Sequence, residues 1–168
     1  MRKRVLWIED GATFEAQHLT GPVYRSRQYD LVIALTISDA ERELMNKEGF
    51  DIVIVDIRMD PGDKQKWIEL YQNANRNKLH ARLGLTLLYA LFKPEDVDNI
   101  IKEVPDWIDS KRFGILTVEN YKELEKYLIE IKLQKIPFKQ KSARLKSTAL
   151  LELIKSVEKQ LVLEVKGK

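Results

Sequence analysis

Residues 51–56 read Asp-Ile-Val-Ile-Val-Asp, an apolar run of four β-branched residues that ends in an acid. A second run of the same form lies near the N-terminus, where Val5-Leu6-Trp7-Ile8 leads into Glu9 and Asp10. Continuous apolar runs of this length are typical of strands buried on both faces of a parallel sheet. Because parallel strands end at the same edge of a sheet, these two runs predict a cluster of three carboxylates, from Glu9, Asp10 and Asp56.

Short β-branched runs alternate along the chain with segments of helical periodicity, a pattern typical of an α/β protein. The predicted strands cover residues 4–8, 31–35, 51–55, 113–116 and 135–138. The predicted helices cover residues 38–47, 64–75, 83–92, 94–102, 119–133 and 143–163. Ser38 and Glu41 form a sequence capping box at the start of the first of these helices. The pattern predicts a doubly wound, five-stranded, mostly parallel sheet with helices on both faces.

Composition places the chain among ordinary soluble proteins. It has 168 residues, 44% hydrophobic and 33% charged, which favours a single domain over residues 1–168. The absence of cysteine excludes disulfides, thiolate metal sites and cysteine nucleophiles, and favours a cytoplasmic location. The apolar run behind the basic N-terminus is too short for a signal peptide or a membrane span, so no membrane partner is expected. The lysine-rich tail lacks aromatic interleaving, and we interpret it as a solvated helix face rather than a nucleic-acid surface.

Two further polar residues follow predicted strands at the same edge. Thr117 comes after the fourth strand and Lys139 after the fifth, with Lys141 as a competitor for the lysine position. Acids, a hydroxyl and a lysine together suit Mg²⁺ and a phosphoryl group, because hard cations prefer oxygen ligands and the lysine can pair with phosphoryl oxygens. A structural interpretation stays open for each residue, since Asp10, Asp56 and Thr117 could instead cap neighbouring helices.

These residues resemble the receiver domain of two-component response regulators. The resemblance rests on residues 5–10, on Asp51-Ile52-Val53-Ile54-Val55-Asp56-Ile57-Arg58-Met59, on Leu116-Thr117 and on Lys139. The 46 positions from Asp10 to Asp56 and the 22 from Thr117 to Lys139 are close to the family's spacings. The resemblance implies a flavodoxin/CheY-like fold with strand order 2-1-3-4-5.

The resemblance also implies a role for each site residue. Asp56 would be the phosphoacceptor for a sensor histidine kinase or phosphotransfer protein, and Thr117 and Lys139 would contact the phosphoryl group. Mg²⁺ would be bound by the carboxylates of Asp10 and Asp56 and by the backbone carbonyl of Arg58, with Glu9 acting through a water. The added charge would then reorganise nearby loops for an unknown downstream protein target. The chain would be a phosphoacceptor that catalyses at most its own phosphorylation and dephosphorylation, and a homodimer stays open.

The interval from Asp56 to Thr117 is 61 positions, about twice the family's usual interval. The excess predicts two helical insertions between the third and fourth strands, residues 62–81 and 93–112, on either side of the family's third helix at residues 83–92. Both insertions could border the site. A helix carrying Trp67 would be either a lid over the site or an extra structural layer.

Three departures from the family pattern bear on output rather than on phosphorylation, and they lend support to an alternative function against which the retained acids argue. Ile136 stands three positions before Lys139, where the family usually has an aromatic residue. Gln140 follows the lysine in place of proline, and Val118 is bulkier than the usual residue after the threonine. The alternative is a binding module that uses the receiver shell without phosphorylation. A more distant alternative is a Mg²⁺-dependent nuclease of the Toprim type, although Asp56 and Asp60 are too widely spaced for its motif. The main expectation is a stand-alone receiver that acts through protein contacts.

Overall fold

A computed structural model of the protein describes residues 1–13, 17–75 and 79–165. Residues 76–78 of the predicted insertion 62–81 and residues 166–168 of the lysine-rich tail lie outside the described residues. The strands are β1 (Lys3–Ile8), β2 (Tyr29–Ala34), β3 (Ile52–Val55), β4 (Phe113–Thr117) and β5 (Phe138–Gln140). The α-helices are α1 (Gln17–Ser26), α2 (Ile37–Leu44), α3 (Gln65–Gln72), α4 (Leu83–Phe92), α5 (Tyr121–Glu130) and α6 (Ala149–Val165). Short 3₁₀ turns cover Asp10–Thr13, Pro94–Val97 and Ser110–Arg112.

The five strands form one parallel sheet in the order β2-β1-β3-β4-β5. Side chains of each strand alternate between two apolar layers, since successive residues of a strand point to opposite faces. In β1, for example, Leu6 and Ile8 face one layer, whereas Val5 and Trp7 face the layer that contains residues of α1 and α6. The predicted fold class is confirmed, because both faces of the sheet are covered and the strand order is the predicted one.

Helix α4 coincides with the predicted residues 83–92 and is apolar all round. Each residue from Leu83 to Leu91 is buried. Such a helix needs cover on every side, and the sheet can cover only one. Within the described ranges, no helix is long and apolar enough to cross a membrane.

Trp67 of α3 is fully buried and belongs to the same apolar layer as α4. Its indole Nε1 donates to Glu41 Oε2 of α2 at 2.6 Å, and Lys66 Nζ donates to Glu41 Oε1 at 2.8 Å. Glu41 therefore anchors α3 rather than closing a capping box, and the cap of α2 is Thr36, whose side chain accepts from the backbone N–H of Asp39. The Trp67 contact is that of an extra structural layer.

The second extra segment, residues 93–112, packs at the opposite end of the sheet from the strand carboxyl ends. Trp107 donates from Nε1 to the backbone oxygen of Asn46 at 3.0 Å, and its ring contacts that of Phe50, just before β3. Gly49 has a φ of +63°, and a Cβ there would lie 2.7 Å from the Trp107 ring. The expectation that this segment borders the site is therefore wrong for Trp107 and its surroundings.

Two predicted elements are also corrected. The helix expected over residues 94–102 is a single 3₁₀ turn, Pro94–Val97, which ends at Asp98 in a left-handed conformation. The last strand lies at Phe138–Gln140 rather than at residues 135–138. Pro137 cannot donate a ladder hydrogen bond, and its backbone oxygen instead accepts from Ile115 N at 2.9 Å.

Candidate phosphoryl and metal site

Backbone register brings the acids of β1 and β3 together. Glu9 N donates to the backbone oxygen of Ala34 at 2.9 Å, and Asp56 N donates to that of Ile8 at 3.0 Å. Ile8 and Val55 are paired across the two strands, so the acids that follow them lie side by side. One ligand oxygen from each of Glu9, Asp10 and Asp56 can be chosen such that all three lie within 4.8 Å of one another. The predicted cluster of carboxylates therefore exists as a spatial group.

The cation in this cluster is Lys141, not Lys139. Lys141 Nζ lies 2.6 Å from Asp56 Oδ2 and also donates to Glu9 Oε2. Lys139 instead pairs with Glu152 on the surface of α6. The placement of Lys139 at the phosphoacceptor is therefore corrected, and the lysine of the site is the competitor two residues later.

The late position of β5 explains this correction. Lys139 is paired with Leu116 inside the ladder, one residue before the end of β4, and its side chain meets Glu152. Lys141 follows the last strand residue, and its backbone N donates to the oxygen of Thr117 at 2.7 Å. The signal that could have found it is Phe138, an aromatic residue three positions before Lys141. The departure attributed to Ile136 disappears in this register, whereas Ser142 still stands where the family has proline.

Phe138 lies on a partly exposed surface beside α5. Its ring meets the ring of Tyr121 edge to face, with 5.3 Å between the centroids. The hydroxyl of Tyr121 donates to the backbone oxygen of Gln134 at 2.8 Å. An aromatic pair therefore joins β5 to α5 on the strand that leads into Lys141.

Burial and mutual repulsion shape the charges of the cluster. Burial, followed by the charge of Asp56, raises the pKa of Glu9, although Lys141 acts against both. The same two causes raise the pKa of Asp10. Burial alone would lower the pKa of Lys141, but the carboxylates of Asp56 and Glu9 outweigh it, so this pKa is raised. The cluster thus carries more negative charge than one lysine offsets, which is the condition that favours a bound cation.

The hydroxyl of Thr117 is fully buried at the end of β4. Its Oγ accepts from the backbone N–H of Glu119 at 3.4 Å. Thr117 does not cap the following helix, because Asn120 does so by accepting from Lys122 N. Val118, in contrast, is largely exposed, and it lines a cavity of about 430 Å³ that also borders Glu9 and Lys141. The cavity therefore lies on the Glu9 and Lys141 side of the cluster.

Sequence reasoning missed an arginine clamp beside the cluster. Glu119 is buried, and its Oε1 accepts from Arg58 Nε at 2.6 Å and from Arg82 Nε at 3.1 Å. Its Oε2 accepts from Arg82 Nη2 at 3.2 Å. Hydrogen bonds from both arginines outweigh the effect of burial and lower the pKa of Glu119, so this group is an anion. No local motif announces such a pairing, because its members come from three separate loops.

Close packing fixes the backbone on which Asp56 sits. Gly84 N donates to the backbone oxygen of Ile57 at 2.9 Å, and a Cβ on Gly84 would lie 1.8 Å from the backbone oxygen of Asp56. The backbone N–H of Arg58 faces Asp56 Oδ1 at 3.3 Å. The predicted metal contact of the Arg58 carbonyl stays a prediction.

The donor set fits a hard divalent cation. Three carboxylates close to one another suit Mg²⁺, which prefers oxygen ligands and keeps part of its water shell. Asp10 is exposed, whereas Glu9 and Asp56 are buried, so a cation here would be reached from solvent on the Asp10 side. The residues therefore fit the metal that the sequence predicts.

Comparisons with known proteins agree with this architecture. No protein family model and no curated protein sequence matches the chain. Among solved structures, a response regulator receiver domain protein from Methanospirillum hungatei JF-1 shares 16% identity, with 96% of this chain and 98% of that chain covered and a TM-score of 0.55. The chemotaxis response regulator CheY4 of Vibrio cholerae shares 14% identity over 94% of this chain and 99% of its own, with a TM-score of 0.53. A response regulator from Thermotoga maritima shares 13% identity over 96% and 99%, with a TM-score of 0.52.

The fold of the chain is therefore that of response-regulator receiver domains. The CheY-like strand order and nearly full coverage support this assignment together.

Proposed function

We propose that the protein is a response-regulator receiver that accepts a phosphoryl group on Asp56 in the presence of Mg²⁺. The observation that carries the proposal is the contact of Lys141 Nζ with Asp56 Oδ2 at 2.6 Å, inside the cluster of three carboxylates. A lysine and two further acids at one carboxylate, with the buried hydroxyl of Thr117 at the end of the neighbouring strand, match the needs of phosphoryl transfer, which depends on positioning and charge neutralisation.

In the proposed reaction a carboxylate oxygen of Asp56 attacks the phosphorus of the donor, and an acyl phosphate forms. The bond from phosphorus to the donor nitrogen breaks, and the leaving group takes a proton from solvent when it is the imidazole of a phosphohistidine. Mg²⁺, when bound by Glu9, Asp10 and Asp56, supplies charge neutralisation for the phosphoryl oxygens. Lys141 and Thr117 would hold the remaining oxygens.

The product would carry about −1.5 to −2 charges at a carboxylate that already contacts one cation. Lys141 would then leave Glu9 for the phosphoryl oxygens, because a phosphoryl group is a stronger acceptor than a carboxylate shared with a second acid. Since Lys141 follows β5 directly, its movement would shift Phe138 of β5 and the Tyr121 ring that packs on it. A sensor histidine kinase or phosphotransfer protein would be the donor, and a protein target would read the changed surface.

The test is incubation with Mg²⁺ and phosphoramidate, followed by intact mass. We expect one acid-stable, base-labile phosphoryl adduct that Asp56→Asn abolishes. The matched control is Asp51→Asn, which changes the acid at the other end of the same strand, where Asp51 Oδ2 accepts from Arg4 N. The control should retain the adduct.

A wild-type protein that forms no adduct, and that also fails to bind beryllofluoride with Mg²⁺, would contradict the proposal. That result would favour the phosphorylation-independent binding module. An adduct that survives Asp56→Asn would place the acceptor elsewhere.

A further inference from the structure

The arginine clamp places an exposed cation, Arg58, two residues from the phosphoacceptor. The side chain of Arg58 is 65% exposed, although its Nε bonds to Glu119, whose side chain is 2% exposed. Its backbone N–H already faces Asp56 Oδ1, so the arginine starts two residues from the acceptor on the same loop. An exposed side chain with one bonded nitrogen can turn to a new anion at small cost, because an exposed ion pair contributes little free energy.

Glu119 does not depend on Arg58 alone. Arg82 contacts both of its oxygens, at 3.1 Å and 3.2 Å, and the side chain of Arg82 is only 20% exposed. When Arg58 leaves, the buried carboxylate therefore keeps a forked partner and is not stranded without a cation. The two arginines differ in this respect, since Arg82 is the permanent partner of Glu119 and Arg58 is the exchangeable one.

We propose that Arg58 exchanges Glu119 for the phosphoryl group on Asp56 and thereby becomes a phosphoryl-binding residue, with Glu119 as its internal competitor. Guanidinium is suited to the exchange because it presents several N–H donors in a plane that matches phosphoryl oxygens. The inference rests on the proposed function of Asp56. It adds that the affinity for the phosphoryl group is set by competition between two anions for one arginine.

The experiment uses beryllofluoride as the phosphoryl mimic, with Mg²⁺ present, and follows bound fluoride by ¹⁹F NMR during titration of the whole protein. Arg58→Ala should weaken binding about fivefold, the scale of one exposed ion pair. Glu119→Gln removes the competing charge and should strengthen binding by a similar factor. A merely structural clamp would move both variants in the same direction, so opposite shifts are the signature of competition.

Two more variants complete the design. Arg58→Lys keeps the charge and should recover part of the affinity lost in Arg58→Ala. Arg2→Ala removes an arginine of similar exposure, 56%, which pairs with Asp30 near the other end of the sheet, and should leave binding unchanged.

The outcomes separate the two proposals. If the wild type binds beryllofluoride, and Arg58→Ala and Arg2→Ala bind it with equal affinity, the exchange is overturned while the proposed function of Asp56 stands. This comparison decides the matter even if Glu119→Gln fails to fold, because Arg58 is an exposed residue. A wild-type protein that binds no beryllofluoride would overturn both.

Discussion

Lys141 offers the sharpest test of how the site is built, because its neighbour Lys139 is a natural control. Lys141→Met leaves Glu9 and Asp56, both 5% exposed at the side chain, without their shared cation. One ligand oxygen of each acid lies within 4.8 Å of the others, and two carboxylate charges at that distance repel by about 3.5 kcal/mol at an effective dielectric constant of about 20. Removing one partner of a fully buried ion pair costs about 3–5 kcal/mol.

Two features reduce the stability cost of Lys141→Met below the figure of about 3–5 kcal/mol for a fully buried pair. Lys141 is 18% exposed at the side chain, and Glu9 can take up a proton because its pKa is already raised by burial and by Asp56. We therefore expect Lys141→Met to lose about 2–3 kcal/mol in the free energy of unfolding at pH 7 without metal. Added Mg²⁺ should restore most of this loss, since the cation replaces the missing charge.

The assay is urea unfolding followed by circular dichroism, in EDTA and in Mg²⁺. Lys139→Met makes the same chemical change two residues earlier, where the lysine and Glu152 are 32% and 49% exposed, and should change stability little. Equal losses in the two variants, or a larger loss for Lys139→Met, would refute the placement of Lys141.

Three further predictions follow from single contacts. Glu9→Gln should raise the free energy of unfolding at pH 7 without metal, because the folded protein holds the Glu9 carboxylate at a raised pKa. The gain should vanish as the pH falls below the ordinary range of a glutamate, and urea unfolding at several pH values measures it. Gly84→Ala should cost more than about 3 kcal/mol, because its Cβ would lie 1.8 Å from the Asp56 backbone oxygen, whereas Gly21→Ala meets only the end of the Arg25 side chain at 3.4 Å and should be tolerated in thermal unfolding. Trp67→Phe should cost about 1–3 kcal/mol by removing the bond to Glu41 yet leave beryllofluoride affinity unchanged, and a changed affinity would revive the lid hypothesis.

Much of the fold follows from local patterns. Apolar runs such as Ile52–Val55 are long enough to predict buried strands, and the polar residues after them mark the edge where a site forms. The cluster of Glu9, Asp10 and Asp56 needs no tertiary information beyond the parallel arrangement of two strands. This is why these three residues could be named from the sequence.

The lysine could not be placed in the same way. Spacing from Thr117 favoured Lys139, but spacing measures chain length and not the register at which a short edge strand joins the sheet. Only three residues of β5 pair with β4, and Pro137 shifts where that pairing begins. Phe138, the aromatic residue three positions before Lys141, was the better guide. It is the first residue of β5, so it marks the register of the strand directly.

The arginine clamp and the packing of the extra segments also escaped prediction. The partners Arg58 and Glu119 are 61 positions apart and meet only because β3 and β4 are neighbours. Trp67 could be predicted only in part for the same reason. Helical spacing gives the helix face on which Trp67 lies, but it does not show that Glu41 accepts the hydrogen bond from its indole N–H.

Chemical mapping of the phosphorylated residue is the most direct test of the central claim. After reaction with Mg²⁺ and phosphoramidate, borohydride reduces an acyl phosphate to an alcohol, and peptide mass mapping finds the position of the change. We predict conversion at Asp56 in the wild type and in Lys139→Met, with marked loss in Lys141→Met. Conversion at Glu9 or Asp10, or dependence on Lys139 instead of Lys141, would contradict the account.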